Sequence, residues 1–314
     1  MSLRDALVAP AHGAVRRWVL RAFPRDRKGG IDYDHPEGDA GLFGPDSVTW
    51  RIHGDFAGML SGGLCALMLQ TLHPRALAGV WDHSNFRTDL IGRLRRTTAF
   101  VGGTTYAPTM AAHQLVDRVK AIHGKVSGTT ADGTAYAADD PDLLTWVHVT
   151  EMYSFLAGYR RYRRHDLSAG IADRYYDETR RVAQALGARD VPSSEAAVEA
   201  YFAERQTELR FDERSREVLT VLAAIELPVP MAGLSRELFL GAGTALLPAW
   251  AVEKLGRSPR QRAEAQFAAT ALRGLAPVFR GALSEGVAAR SCRRVGRSPR
   301  LLDQWPPALH ETRS

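Results

Sequence analysis

Apolar residues recur along this chain mainly at helical spacing, and the breaks between those stretches carry helix-start and turn chemistry. From Phe56 to Leu72 the sequence is almost continuously apolar, bounded by Asp55 on one side and His73-Pro74-Arg75 on the other. The run contains Gly58, Gly62 and Gly63. It falls at the lower edge of the roughly 20 residues a membrane span needs, so it predicts a buried core helix. A short helical piece, Ala76–Trp81, follows Pro74, and Leu90–Val101 and Pro108–Val126 carry helical periodicity. The pattern then changes. Ser127-Gly128-Thr129-Thr130-Ala131-Asp132-Gly133-Thr134-Ala135-Tyr136 has the small β-formers and Asp-Gly turn of a short hairpin. Asp140 is a good N-cap and Pro141 suits the first helical position, so a helix is predicted over Asp142–Tyr162. Its Arg160-Arg161-Tyr162-Arg163-Arg164 end matches the negative pole of the helix dipole. Further helices are predicted at Ala172–Leu186, Ser194–Arg210, Glu213–Ala224, Ser235–Leu255 and Pro259–Leu275.

Residues 24 to 48 are rich in Gly, Pro and Asp and read as a loop or extended arm. The pentapeptide Gly-Arg-Ser-Pro-Arg occurs at both 256–260 and 296–300, each copy with a Ser-Pro helix start. Two copies of five residues do not make a repeat architecture. No linker divides the 314 residues, and the pattern predicts one all-α domain, 1–314, with a single β-hairpin.

Composition adds bounds. With 45% hydrophobic and 24% charged residues, the chain can bury an ordinary globular core. Its 41 Lys and Arg against 35 Asp and Glu give a net charge of +6, spread along the chain. Nucleic-acid binders concentrate such an excess, so none is expected as a partner. The nearest cluster is Arg290, Arg293, Arg294, Arg297 and Arg300, read as a solvated face or mobile tail within 281–314. A peripheral contact with anionic membrane is left open there. Two cysteines, Cys65 and Cys292, do not make a disulfide framework and fit a reducing, cytoplasmic setting. Arg16-Arg17-Trp18-Val19-Leu20-Arg21 begins like an export signal, but Pro24-Arg25-Asp26-Arg27-Lys28 interrupts any long apolar stretch. It reads as an amphipathic leading helix within an N-terminal region, 1–44.

The candidate chemistry lies in histidines at apolar positions. Val116, Val119 and Val126 put His123 on the apolar stripe of its helix. Leu144, Met152 and Phe155 do the same for His148, with Glu151 at i+3. A histidine facing a core must hydrogen-bond or bind something. Spacing alone favours a backbone-satisfied His123 and a structural His148–Glu151 hydrogen bond. Two such histidines on neighbouring helices also fit a shared polar or metal-bearing pocket. His73, before Pro74, and His83, in Asp82-His83-Ser84-Asn85, read equally well as capping or turn residues. Arg93, Arg96 and Thr97 form one polar facet able to hold a carboxylate or a bound oxidant, or simply to meet solvent. Dinucleotide and phosphate loops, Gly-x-Ser-x-Gly, Cys-x-x-Cys and His-Glu-x-x-His are absent, and His148-x-x-Glu151 reverses the pairs of a dinuclear iron bundle.

Several stretches together resemble one family. They are Leu69-Gln70-Thr71-Leu72-His73-Pro74, Asp82-His83-Ser84, Arg93-Leu94-Arg95-Arg96-Thr97, Val119 through Gly128 with His123 inside it, and Tyr136 through His148. In order and approximate spacing they resemble the MpaB and rubber oxygenase (latex-clearing protein) catalytic-domain family over residues 45 to 280. The resemblance implies a globin-like helical bundle with additional helices, holding haem b. It also implies an oxygenase or other oxidoreductase that uses dioxygen or peroxide on a small or apolar organic substrate. By the same resemblance, His123 is the iron ligand, Arg93, Arg96 and Thr97 line the opposite side of the pocket, and His148 and His73 are further pocket residues. Arg96 stands where the family can place a lysine as an iron ligand. Arginine stays protonated and does not ligate iron, so rubber cleavage is not implied. Three other readings stay open: a haem-binding protein without catalysis, a non-haem metal enzyme built on His73, His83, His148 and Glu151, and a helical interaction module without a cofactor whose buried histidines are structural.

Overall fold

The computed structural model describes residues 3–22, 30–226 and 232–305, without the side chains of 3–11 and 22. Among these residues the chain forms fourteen α-helices, one short 3-10 helix and a two-stranded antiparallel hairpin, so the fold is all-α with a β-hairpin, as its pattern predicts. The hairpin pairs β1 (Ser127–Thr129) with β2 (Ala135–Ala137), Gly128 opposite Tyr136.

The core is built around α7 (Pro141–Tyr162), started by the Asp140 carboxylate, which accepts from the Asp142 N–H at 2.9 Å. Its main partner is α3 (Phe56–Gln70), which runs antiparallel to it, Gly58 lying against Gly158 and Gly62 against Ser154 and Phe155. A Cβ on Gly158 would stand 2.3 Å from the Gly58 carbonyl oxygen, so only glycine permits this crossing. On its other side α3 meets α11 (Ala232–Thr244), which packs on α13 (Pro259–Ala282), and α13 in turn carries α1 (Leu3–Ala22). The apolar run is therefore a core helix. No single described helix is long and apolar enough to cross a membrane; α3 and α4 (Pro74–His83) reach that composition only together, across a 104° bend.

Three differences from the sequence pattern have physical causes. The stretch Ser235–Leu255 is two helices, α11 and α12 (Ala249–Lys254), because Pro248 cannot continue the first and starts the second. Conversely, α13 runs past Leu275 through Pro277 to Ala282. Ala276, Phe279 and Ala282 are buried there, and that packing outweighs a penalty of about 3 kcal/mol for an internal proline. Finally, the basic segment read as a solvated face or mobile tail is packed in part: Arg293, Arg297 and Arg300 are exposed, but the other two arginines are not. Arg294, on α14 (Val287–Arg294), is buried and donates to the carbonyls of Asp39, Tyr33 and Tyr106 at 2.7, 3.0 and 2.9 Å. Arg290 pairs with Asp34 at 2.6 Å. These guanidiniums tie the arm before α2 (Val48–His53) to the rest of the protein; residues 24–29 of that arm lie outside the described residues.

Candidate active site

The stripe of α7 that meets α3 at Phe155 and Gly158 carries His148 and Glu151 two turns earlier. Both retain some accessible surface, yet protein surrounds them, so that surface belongs to an internal space. Neither side chain makes a hydrogen bond among the described residues, and the His148–Glu151 bond that spacing favours does not form. Burial raises the Glu151 carboxyl to about 7 and lowers the His148 imidazole to about 4. Near neutrality one is therefore an enclosed acid that can give up a proton, and the other an unprotonated base.

Beside them stands His53, at the end of α2. Its Nδ1 lies 2.8 Å from Thr105 Oγ1 and its Nε2 2.8 Å from the Tyr175 hydroxyl. The single Thr105 hydroxyl proton goes to the Val101 carbonyl at 2.7 Å. His53 therefore donates from Nδ1 to Thr105 and accepts the Tyr175 proton at Nε2, which assigns the neutral tautomer. Burial, with the nearby His148 adding to it, lowers His53 to about 3. The short helix is fixed by the buried Glu178 carboxylate, which accepts from the N–H groups of Val48 and Thr49 and from the Thr49 hydroxyl. Sequence reasoning missed His53, because a six-residue helix is too short to show a period.

Two more helices flank this space. α5 (Leu90–Tyr106) and α6 (Thr109–His123) form a hairpin that is closed near its turn, where Gly103 meets Leu115. Farther along, Arg96 to Ala99 are exposed on α5, and on α6 burial falls from Val116 to a half-buried Val119 and His123. The far end of the hairpin is thus its less packed end. Arg93 lies half-buried on α5 and uses one donor, to Ser84 Oγ at 2.6 Å. Arg96 is exposed and pairs with Asp89 at 3.2 Å, and Thr97 Oγ1 donates to the Arg93 carbonyl at 3.2 Å. The His123 ring makes no hydrogen bond among the described residues; burial lowers its proton affinity and the Asp139 carboxylate partly restores it.

The other two histidines have structural partners. His73 is buried and caps α4, its Nδ1 accepting from the Ala76 N–H at 3.5 Å while Nε2 lies 3.6 Å from Glu208. His83 Nε2 donates to the Ser127 carbonyl at 3.1 Å and so holds the hairpin against α4. Among the described residues no three His, Cys, Asp or Glu side chains converge as metal ligands would, and the set His73, His83, His148 and Glu151 does not assemble. Both cysteines are free and buried.

The site is thus a helical frame holding an enclosed acid and base without hydrogen-bonding partners, Glu151 and His148, beside a partnered His53. Residues 50–280, from α2 to α13, match the family model described as ER-bound oxygenase mpaB/B'/Rubber oxygenase, catalytic domain. The chain belongs to this oxygenase family. No curated protein and no solved structure matches it.

Proposed function

We propose that the protein is a haem b-dependent oxygenase acting on an apolar organic substrate, with His123 as the proximal iron ligand. The family supplies the reaction class. The observation that carries the cofactor is the pair of half-buried groups left without sufficient partners toward the less packed end of the α5–α6 hairpin: the His123 imidazole and the Arg93 guanidinium. Buried polar groups are normally satisfied, so two such groups on one hairpin fit a bound group carrying both a metal and carboxylates. Bound haem would supply the centre at which dioxygen or peroxide is activated.

The protein's own residues then have distinct tasks. His123 would present an unprotonated nitrogen to the iron, and the Asp139 carboxylate favours a proton on the other nitrogen. Arg93 has four N–H donors free for a haem or substrate carboxylate. Arg96 stays a cation, since arginine does not ligate iron. Glu151 holds a proton near neutrality and His148 can accept one, so the pair would handle protons in an enclosed space. The test is the visible spectrum of protein expressed with haem supply, before and after dithionite. A Soret band that shifts on reduction is expected, and His123→Ala abolishes or displaces it. A protein that stays colourless with added haem overturns the proposal, and an unchanged band in His123→Ala removes the ligand role.

A further inference from the structure

The repeated pentapeptide is one backbone device used twice. In each copy the glycine ends a helix in the left-handed region, with φ +60° at Gly256 and +68° at Gly296. Its N–H returns to the carbonyl three residues back, and the following arginine's N–H to the one five back: Arg257 to Val252 at 3.1 Å, Arg297 to Cys292 at 2.8 Å. The serine then caps the next helix, and the proline takes its first position. The side chains of the two central arginines differ. Arg297 is exposed and lies 3.6 Å from Asp46. Arg257 turns inward, where its Nε is fully enclosed with no acceptor, and Nη2 meets only the Met68 sulfur, at 3.7 Å.

Arg257 lines a pocket of about 90 Å³ between α11, α12 and α13. The other polar walls are Arg262, Gln266 and Thr244, against Leu247 and Val252. Arg262 makes no ion pair among the described residues. Gln266 Oε1 is taken by Arg161 Nη2 at 2.6 Å, which leaves the amide N–H2 to donate. Thr244 already donates to the Leu240 carbonyl. No acidic side chain lines the pocket, and burial is the only influence on Arg257's proton affinity. Apart from Arg93, other partly buried guanidiniums are compensated, such as Arg160 by Glu195, Arg280 by Asp55 and Arg294 by three carbonyls. A desolvated cation without a counter-charge is costly, and two guanidiniums with an amide donor match the planar, multi-oxygen face of an oxyanion.

We propose that this pocket binds a small oxyanion, the phosphate or carboxylate group of a ligand, between Arg257 and Arg262 with the Gln266 amide as a further donor. The proposal does not depend on the haem reading, since none of these residues lies on α5 or α6. The test is isothermal titration of the full-length protein with inorganic phosphate and, separately, with succinate, in chloride buffer at constant ionic strength. At least one of the two saturates the wild type. Arg257→Gln and Arg262→Gln each weaken that binding by about tenfold or more. Arg260→Gln, which alters the neighbouring arginine paired with Glu264, leaves it unchanged. Phosphate binding alone identifies a phosphorylated ligand, succinate alone a carboxylate. Should neither anion saturate, or should both pocket variants bind like wild type, the site is refuted. If Arg257→Gln does not fold, exposed Arg262 decides.

Discussion

Two stretches of α7 are governed by opposite rules. Around Gly158 the helix has a packed face, set backbone against backbone on Gly58 and Gly62 of α3, and a single added methyl has nowhere to go. Two turns earlier it opens on His148 and Glu151, whose side chains make no hydrogen bond among the described residues and stand near His53 and Tyr175. The packed stretch gives up side-chain volume to fix the helix, and the open one keeps polar groups that packing would exclude. A site of this kind needs both, because unpartnered groups hold their place only if their backbone is fixed.

Breaking the packed face gives the largest effect. Gly158→Val forces the two helices apart and costs more than about 3 kcal/mol, because the clash is with backbone. Chemical denaturation would read this as insoluble protein or a strongly lowered midpoint. Losing the bound group ranks next: His123→Ala removes the Soret band while far-ultraviolet circular dichroism stays near wild type.

The open stretch is tested by titration. Glu151 has its folded-state value raised to about 7, so its contribution to stability is complete below the unfolded carboxyl value and is lost as pH rises through about 7. Removing the charge by Glu151→Gln flattens the fall of stability between roughly pH 4.5 and 7.5, with a gain on the order of 1–2 kcal/mol once that fall is complete, reduced by water in the cavity. His53 and His148 run the other way. Their values are lowered to about 3 and about 4, so their contribution is present above the unfolded imidazole value and lost as pH falls. The Gln variant should therefore still lose stability on acidification below about pH 6. The same fall in Glu151→Gln as in the wild type would mean the carboxyl is well solvated. The smallest effect is Thr105→Val, which leaves the His53 Nδ1 proton without its acceptor and costs about 1 kcal/mol, read by denaturant midpoint.

Legibility in the sequence followed the same divide. Where local chemistry decides, the pattern was readable: Asp140-Pro141 starts α7, Ser258-Pro259 starts α13, and Asp132-Gly133 turns the hairpin. The inward side of α7 was also readable, since Leu144, Met152 and Phe155 are buried around His148. What depends on distant partners was not. His53 gains its environment from Thr105 and Tyr175, and nothing near it in sequence announces either. The inward turn of Arg257 is likewise set by α11 and α13, since its pentapeptide is identical to the copy that faces solvent. Residues 290–300 read as a tail because what anchors them is far away in sequence: Arg290 pairs with Asp34, and Arg294 donates to three backbone carbonyls, which leave no mark in composition.

That last arrangement bears on the order in which the protein can be assembled. Arg51, two positions before His53, donates to the carbonyl of Gln304, and Tyr106, whose hydroxyl donates to the Trp50 carbonyl, is itself held by Ser291 and Arg294. The segment that carries His53 therefore waits for residues 291–304, made much later than itself, before it is locked. A nascent chain stalled short of α14 would hold most of its core helices while the wall around His53 stayed unfinished. Synthesis itself thus supplies an interval in which this side of the cavity is still open to a guest.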